Sequence, residues 1–308
     1  MKIVVMGCGG VGGFYGGRLA HAGCDVTFIA RGAQLAALRA RGLTIESEAQ
    51  GGIHLPRVKA TDDPNAAGGA DLVIVAVKLW AMDAALQAVR PVVGPRTAVL
   101  SLQNGVVKDD ILKREFGEPA VIGGAAYVAA QLAAPGVIRQ TGTLQRVVLG
   151  EYDGRRTPRV EALAEAFARA GVQTEVSPDI RRALWEKFVF LVGLSATTAT
   201  MRMPIGPIRS NPQTRAFLLD ILKETVAVGR ALGVALPESY AEERLAFADS
   251  VPADMTSSMH HDLERGNPLE VEWLSGSVVT LGAQAGVPTP ANRAVWDILA
   301  LHARGRRG

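Results

Sequence analysis

The sequence predicts an α/β domain with a doubly wound, mostly parallel sheet, followed by a domain built only of helices. Strand-like apolar runs alternate with amphipathic helical segments through the first half of the chain. One of these runs, residues 71–77, consists almost only of branched apolar residues, as expected of a parallel strand covered on both faces. After residue 177 only helical patterns continue, so we expect one domain over residues 1–176 and a second over 177–308. A chain of 308 residues is long enough for two such domains.

The individual elements follow from apolar periodicity and from turn residues. In the first half we predict strands over 2–6, 25–30, 43–46, 53–59, 71–77, 97–102, 120–130 and 172–176, and helices over 12–22, 34–41, 79–88, 108–116 and 159–170. Residues 137–140 and 145–149 suggest an antiparallel pair around Thr141 and Gly142. In the second half we predict helices over 179–201, 212–233, 238–249, 254–264, 269–286 and 290–303. Ser177 and Pro178 are a helix start, with the serine as N-cap and the proline at the first helical position.

Composition excludes several classes of protein. The net charge of +3 is small, and no basic face with a recognisable reading motif accompanies it, so no nucleic-acid partner is expected. No apolar run reaches the roughly 18 residues of a membrane helix. The two cysteines, Cys8 and Cys24, form neither a disulfide framework nor a C-x-x-C spacing, so we predict no metal site. The first strand starts at residue 2 and leaves no room for a targeting segment, which predicts a cytoplasmic protein.

A glycine-rich turn follows the first strand. Gly7, Gly9 and Gly12 fit G-x-G-x-x-G, with Gly10 and Val11 inside the motif. In such a motif the first glycine permits the tight turn, the second lets the backbone approach a pyrophosphate, and the third lets the helix pack closely on the strand. The motif alone is weak, but here a strand precedes it, an amphipathic helix follows it, and a second strand comes next. This context predicts a dinucleotide site.

The end of the second strand indicates which dinucleotide binds. NAD-binding units place an acidic residue there to accept from the ribose 2′-hydroxyl. This chain has Arg31 instead, and no aspartate or glutamate stands at the strand tip. Since a guanidinium suits a 2′-phosphate, we predict NADP(H). The alternative is that Arg31 is only a solvated surface residue.

Polar residues follow two further buried strands. Lys78 comes directly after residues 71–77, and Asn104 with Gly105 follows residues 97–102. In open α/β sheets, ligands bind beyond the carboxyl ends of the strands. A lysine in such a position is otherwise a solvated loop residue, and Asn-Gly is an ordinary turn signal. Because both occur beside a dinucleotide loop, we expect them to line the nicotinamide and substrate site.

The helical half offers three candidate features. Lys187 stands at the head of an otherwise apolar helix and is either extended to the surface or partly desolvated and functional. Ser258 and Asp262 are four residues apart and share a helical face, although a serine pair at a helix start is more often a cap. The third feature is the pair Glu270 and Glu272. Because these carboxylates are two residues apart on a helix, they cannot both face the same way. The periodicity does not show which of them points into a cleft.

Taken together, these residues resemble the ketopantoate reductase (2-dehydropantoate 2-reductase) family over essentially the whole chain. The shared motifs are GCGGVG at 7–12, Arg31, AVKLW at 76–80, LQNG at 102–105, LWEK at 184–187, SSMHHD at 257–262 and LEVEWLSG at 269–276. The resemblance implies a Rossmann domain, an all-α domain and an active site between them. It also implies NADPH-dependent reduction of a small 2-oxo acid to a 2-hydroxy acid, most readily 2-dehydropantoate to pantoate in pantothenate biosynthesis.

The resemblance assigns roles to particular positions. Lys187 is similar to the family's catalytic lysine, and Glu270 rather than Glu272 to its active-site glutamate. Ser258 matches a substrate contact. Two residues of the first half, Asn104 and Lys78, match residues near the nicotinamide and the substrate. The cofactor loop and the 2′-phosphate anchor correspond to Gly7, Gly9, Gly10, Val11, Gly12 and Arg31.

Two positions depart from the family pattern. Asparagines usually stand four and eight residues after the catalytic lysine and face the substrate, but this chain has Leu191 and Ser195 there. Four-residue steps keep these positions on the same helical face as Lys187. Loss of polar partners changes specificity, so a related reductase for another 2-oxo acid is one alternative, and a non-catalytic NADPH-binding protein is a second. The helical domain is also a candidate surface for a homodimer.

Overall fold

The computed structural model describes residues 1–48 and 51–306. Two compact units are present: residues 1–104 with 108–183, and residues 105–107 with 184–308. The last two residues of the predicted second domain lie outside the described part. The first unit is an α/β sheet structure and the second is helical, which confirms the predicted fold class. None of the helices in the described residues is long and apolar enough to cross a membrane.

The first unit contains one sheet of ten strands within the described residues. The strands are β1 Lys2–Met6, β2 Asp25–Ile29, β3 Leu43–Ser47, β4 Ile53–Leu55, β5 Lys59–Thr61, β6 Leu72–Val75, β7 Ala98–Ser101, β8 Val121–Ala134, β9 Val137–Gly150 and β10 Gln173–Val176. Their order is β4-β3-β9-β8-β7-β6-β1-β2-β5, with β10 beside β9. From β5 to β8 all neighbours are parallel, and the crossover connections carry helices. Every residue of β6 and β7 is buried, which explains their continuous apolar sequence.

Five helices of the first unit flank this sheet: α1 Gly10–His21, α2 Gly32–Arg41, α3 Met82–Val89, α4 Lys108–Phe116 and α5 Pro158–Arg169. Short 3₁₀ segments lie at Pro64–Ala67, Leu79–Ala81, Arg90–Val92 and Glu118–Ala120. Tyr15 joins α1 to α5 through an edge-to-face contact with Phe167 at a ring-centroid distance of 5.8 Å, and it meets its neighbour Phe14 in the same way at 5.1 Å. All three rings are fully buried, so the first helix is fixed on the sheet close to the glycine turn.

Two strand predictions were wrong in detail. Residues 137–140 and 145–149 do not pair with each other, because they belong to the single strand β9, whose antiparallel partner is β8. The hairpin turns instead at Pro135 and Gly136, where Gly136 adopts a φ of +81°. The predicted strand 53–59 is split into β4 and β5 because Pro56 has no N–H to contribute to a ladder.

The second unit consists of helices, and the last strand of the described residues ends at Val176. The helices are α6 Ile180–Met201, α7 Ile205–Ser210, α8 Pro212–Ala231, α9 Tyr240–Ser250, α10 Ser258–Arg265, α11 Ser275–Ala285 and α12 Pro290–Leu299, with a 3₁₀ turn at Ala300–His302. The side chain of Asn211 caps α8 by accepting from the backbone N–H groups of Gln213 and Thr214. The core of this unit is formed mainly by apolar residues of α6 and α8, with smaller contributions from α9 and α12.

The second half of the chain differs from the predictions in several places. The helix predicted over 269–286 begins only at Ser275, because residues 271–274 form a turn. Helix α7 was not predicted, since Pro204 and Pro207 look like helix breakers although Pro204 stands at its N-cap. The compact units divide after Ala183, later than the predicted boundary at 177. Ile180 contacts the strands of the first unit so closely that a Cβ at Gly123 would lie 2.6 Å from its side chain.

Candidate active-site residues

The glycine turn after β1 has the conformation that the sequence motif requires. Gly7 has a φ of +100°, and a Cβ there would lie 2.8 Å from the Val77 side chain. A Cβ at Gly12 would overlap the Gly7 carbonyl oxygen and lie 2.9 Å from Ala76 Cβ. Gly10 is restricted in the same way, because its Cβ would overlap the Ala130 carbonyl. These glycines allow α1 to start directly against the sheet.

Gly9 differs from its neighbours because a Cβ built there meets nothing within 4 Å. It is the N-cap of α1, and no side chain caps the helix. The first turn contains no acidic residue, and Val11 in that turn is half-buried. The positive end of the helix dipole therefore faces open space over Gly9, and these residues fit the pyrophosphate of a dinucleotide.

Two amide side chains, neither of them predicted from the sequence, hold the loops after β1 and β6 in place. Gln34 donates from Nε2 to the Cys8 carbonyl oxygen at 2.9 Å and accepts from the Gly136 N–H at 2.8 Å. Gln103 donates from Nε2 to the Val77 carbonyl oxygen at 2.9 Å, and its Oε1 accepts from the Ser101 hydroxyl at 2.9 Å. Gln34 thus fixes the glycine turn, and Gln103 joins the ends of β6 and β7. The contacts to Cys8, Gly136 and Val77 join residues far apart in sequence, so the sequence held no local signal for them.

The remaining candidates of the first unit lie at the carboxyl ends of neighbouring strands. Arg31 is exposed at the N-cap of α2, just beyond β2. Lys78 follows β6 and Asn104 follows β7, and both residues are half-buried. Since β2, β1, β6 and β7 are adjacent and parallel, the structure brings the glycine turn, Arg31, Lys78 and Asn104 to one edge of the sheet.

Helix α6 carries three candidates of the second unit on one face. Lys187 and Leu191 are half-buried, and Ser195 is 1% exposed. Ser195 differs from the other hydroxyl residues of this helix. Thr197 and Thr198 each donate to the carbonyl four residues earlier, at 2.8 and 2.6 Å. The Ser195 hydroxyl has no hydrogen-bond partner among the described residues, which is unusual for a buried polar group.

The loop before α11 separates the two candidate carboxylates. Glu270 is 6% exposed, whereas Glu272 is exposed to solvent. Both residues precede the helix, so their directions are set by the turn and not by the helical spacing assumed from the sequence. The Glu270 carbonyl accepts from the N–H groups of Trp273 and Leu274, both at 3.1 Å. A buried carboxylate needs polar partners, and Glu270 has interactions within the protein.

The two serines at the start of α10 have different environments. Ser257 is the N-cap and accepts from the His260 N–H at 3.0 Å. Its hydroxyl also lies 2.9 Å from the Thr198 hydroxyl of α6. Ser258 is exposed. The capping role that competed with a substrate contact therefore belongs to Ser257, and the Ser258 side chain is not needed for it.

Comparisons with known proteins agree over nearly the whole chain. A family model described as ketopantoate reductase PanE/ApbA matches residues 3–154, and one for the C-terminal part of that family matches residues 179–303. A 2-dehydropantoate 2-reductase of Mesorhizobium japonicum is 33% identical over 97% of this chain and 97% of its own. The crystal structure of a PanE/ApbA family ketopantoate reductase from Ralstonia eutropha is 36% identical, with a TM-score of 0.90 over 98% of both chains. A D-mandelate dehydrogenase bound to NADH and anilino(oxo)acetate shares the fold, with a TM-score of 0.88 over 98% of both chains at 19% identity.

These findings place the protein in the class of NADP-dependent oxidoreductases with a Rossmann-type sheet. Within that class, the chain belongs to the ketopantoate reductase family. The family resemblance inferred from the motifs is thereby confirmed.

Proposed function

We propose that this protein reduces a 2-oxo acid to the corresponding 2-hydroxy acid with NADPH, and that 2-dehydropantoate is its preferred substrate. The observation that carries the proposal is the placement of Lys187 and Glu270. The only lysine of α6 is half-buried at the head of the apolar run 188–194, and Glu270 is a buried carboxylate, while Glu272 is exposed. Relatives named 2-dehydropantoate 2-reductase that span nearly the whole chain support the choice of substrate.

In this proposal the glycine turn and Arg31 hold NADPH, which supplies a hydride to the carbonyl carbon of the substrate. The Gly9 and Gly10 backbone at the start of α1 binds the pyrophosphate, and Arg31 pairs with the 2′-phosphate. Lys78 and Asn104 then lie beside the nicotinamide. Gln34 and Gln103 act as positioning residues, because their amides fix the backbone that presents these groups.

Lys187 stabilises the negative charge that develops on the carbonyl oxygen and donates a proton to it, so that the product is a neutral hydroxyl. Glu270 orients the lysine or accepts from a substrate hydroxyl, since a carboxylate is an acceptor when ionised. Ser258 and Asn104 donate to the substrate carboxylate and carbonyl. Leu191 and Ser195 form the wall that distinguishes one 2-oxo acid from another.

The role of Lys187 is tested by Lys187→Ala, with Lys223→Ala as a matched control. Lys223 is an exposed lysine on α8 that pairs with Glu242 at 3.1 Å. Removal of a general acid costs about 10²- to 10⁴-fold in rate, so we expect kcat to fall by that factor in Lys187→Ala. The Kd for NADPH, measured by fluorescence titration, changes by less than about threefold. A variant that loses NADPH affinity and kcat to the same extent contradicts a chemical role for Lys187.

A second substrate is favoured by one specific observation. Leu191 offers an isobutyl group where the family usually has an amide, and a site without that polar partner suits a larger apolar 2-oxo acid. Leu191→Asn restores the usual side chain. If 2-dehydropantoate is the weaker substrate of the natural protein, this variant raises its kcat/KM relative to that of branched or aromatic 2-oxo acids. If 2-dehydropantoate is already preferred, the ratio changes little.

Two further expectations from the sequence stay predictions. A homodimer is tested by sedimentation velocity of the purified chain, and a cytoplasmic location by fractionation of the source cells. Neither enters the proposed chemistry.

A further inference from the structure

Helix α10 brings together three side chains that are able to ligate a metal ion. His260, His261 and Glu264 each offer a ligand atom, and these atoms lie within 4.8 Å of one another. His260 Nε2 is 3.2 Å from Glu264 Oε1, and His261 Nδ1 is 3.7 Å from Glu264 Oε2. The tetrahedral edge of a zinc site with bonds of about 2.0–2.1 Å is about 3.3 Å. The first separation matches that edge, and His261 faces the other oxygen of the same carboxylate at a slightly longer distance.

The outer nitrogens of the two imidazoles provide a second, independent observation. His260 Nδ1 is 2.8 Å from the backbone carbonyl oxygen of Thr198 on α6. A carbonyl only accepts, so Nδ1 carries the hydrogen and the lone pair of the neutral ring is at Nε2, the atom that faces Glu264. His261 Nε2 is 2.9 Å from the Thr256 hydroxyl, which leaves Nδ1 directed toward the same carboxylate. An oxygen partner on the non-ligating nitrogen is the usual outer shell of a metal-bound histidine.

The backbone around the cluster is fixed. Ser257 caps the start of α10, and Gly266 ends it in the left-handed conformation at a φ of +71°. His260 is 5% exposed, so its ring is held in place by its surroundings. His261 and Glu264 are exposed and leave the cluster open to an ion from solvent. The two rings meet edge to face, with centroids 5.5 Å apart.

We propose that His260, His261 and Glu264 bind one divalent transition-metal ion, with Zn²⁺ as the expected ion. Two imidazole nitrogens and one carboxylate oxygen are a common zinc ligand set, and the fourth position is left for water. A simple ion pair between Glu264 and one protonated histidine is the competing explanation. Together with an N–H donated by the other ring to the second carboxylate oxygen it accounts for both contacts, but it predicts no metal binding, so metal titration distinguishes the two explanations.

The cysteine spacing predicted no metal site, and it carries no information about histidine ligands. The H-H-x-x-E pattern does not by itself show that adjacent histidines converge, since neighbouring residues on a helix point about 100° apart. The proposal concerns α10 and its contact with Thr198, and it does not depend on the identity of the substrate.

The test uses the full chain without a histidine tag, stripped of metal by a chelator and dialysed. Zn²⁺ is titrated by calorimetry, and Co²⁺ is titrated as a spectroscopic probe. We expect one ion per chain and Co²⁺ absorption bands typical of a four-coordinate N,O site. His261→Asn and Glu264→Gln each change an exposed side chain and weaken binding by at least about tenfold. The control is His54→Asn, since His54 is also exposed and lies 3.0 Å from a threonine hydroxyl; it leaves binding unchanged.

The variant His260→Asn is not decisive alone, because loss of a buried ring and of its bond to Thr198 can unfold the helix. Circular dichroism of His261→Asn and Glu264→Gln verifies that these variants are folded. The proposal is overturned if the natural chain binds no Zn²⁺ or Co²⁺ up to millimolar concentration. It is equally overturned if both exposed variants bind one ion per chain with unchanged affinity.

Discussion

Replacement of Gly9 by alanine separates cofactor binding from folding. A Cβ at this position meets no atom within 4 Å, and the backbone angles of Gly9 (φ −87°, ψ −159°) are open to any residue. Alanine is a poorer N-cap than glycine by up to about 1 kcal/mol. Lower entropy of the unfolded chain returns about 0.4–1 kcal/mol. The free energy of unfolding therefore changes by less than about 1 kcal/mol.

The effect on NADPH binding is much larger. The new methyl group occupies the open space over the first turn of α1, where the pyrophosphate must approach the backbone N–H groups. Loss of one charge-assisted hydrogen bond costs about 1.5–3 kcal/mol. The Kd for NADPH then rises about 10- to 100-fold. Gly12→Ala gives the opposite pattern, because its Cβ overlaps the Gly7 carbonyl and overpacking costs about 1–3 kcal/mol of stability.

The assay combines fluorescence titration of NADPH with thermal unfolding of the cofactor-free chain. The matched control is Gly69→Ala, since a Cβ at Gly69 also meets nothing within 4 Å but lies on an exposed loop. We expect Gly69→Ala to change neither quantity and Gly9→Ala to change only the Kd. If Gly9→Ala binds NADPH as tightly as the natural protein, the glycine turn does not hold the pyrophosphate.

Three other changes test individual side chains. Arg31→Ala raises the KM for NADPH about 10- to 100-fold and leaves the KM for NADH nearly unchanged, because one charge-assisted contact to the 2′-phosphate is lost. Equal effects on both cofactors show that Arg31 does not bind the 2′-phosphate. Ser195→Ala removes a buried hydroxyl that has no partner among the described residues. We therefore expect the free energy of unfolding, measured by chemical denaturation, to rise by about 1 kcal/mol and the KM for the 2-oxo acid to rise as well. A lower free energy of unfolding contradicts this reasoning. Burial raises the pKa of the Cys8 thiol to about 12, so at pH 8 only about one molecule in 10⁴ has the reactive thiolate. A thiol reagent then modifies one cysteine, Cys24, in the folded chain and both after unfolding; rapid modification of two in the folded chain refutes the expectation.

Much of the fold was predictable because local sequence and tertiary structure agree. Strand β1 and helix α4 have the predicted bounds, and a glycine directly follows each of them in the sequence. The path of β9 was not predictable from the sequence. The chain turns between β8 and β9 at Gly136, whereas the prediction placed the turn at Gly142, which lies inside β9. Glycine marked both positions equally, and only the sheet distinguishes them.

The residues of the candidate site also fall into two groups, those that the sequence identified and those that it did not. Gly7, Gly9 and Gly12 carry a pattern whose reason is local backbone geometry, so the sequence alone identified the turn. Gln34 and Gln103 act through bonds to distant backbone groups, and nothing near them in sequence indicates such partners. The roles of Lys187, Glu270 and Ser258 stay predictions that only kinetic measurements test.

A buried network beside α4 was also invisible in the sequence. Lys108 is fully buried and pairs with Asp109 at 2.8 Å, and the Tyr152 hydroxyl donates to the same carboxylate at 2.7 Å. The burial of Tyr152, together with the charge of Asp109, raises the pKa of its phenol. In the sequence, Lys108 and Asp109 resemble the solvent-exposed charged residues that often begin a helix. The tyrosine that completes this network lies forty-three residues further along the chain.

The most direct test of the proposed function is a steady-state comparison of 2-oxo acids with NADPH. The measured quantity is kcat/KM for 2-dehydropantoate and for a panel of branched and aromatic 2-oxo acids, with the natural chain at one pH. We predict the highest kcat/KM for 2-dehydropantoate, at least about tenfold above the others. A higher value for another 2-oxo acid, or no NADPH oxidation with any of them, contradicts the proposal.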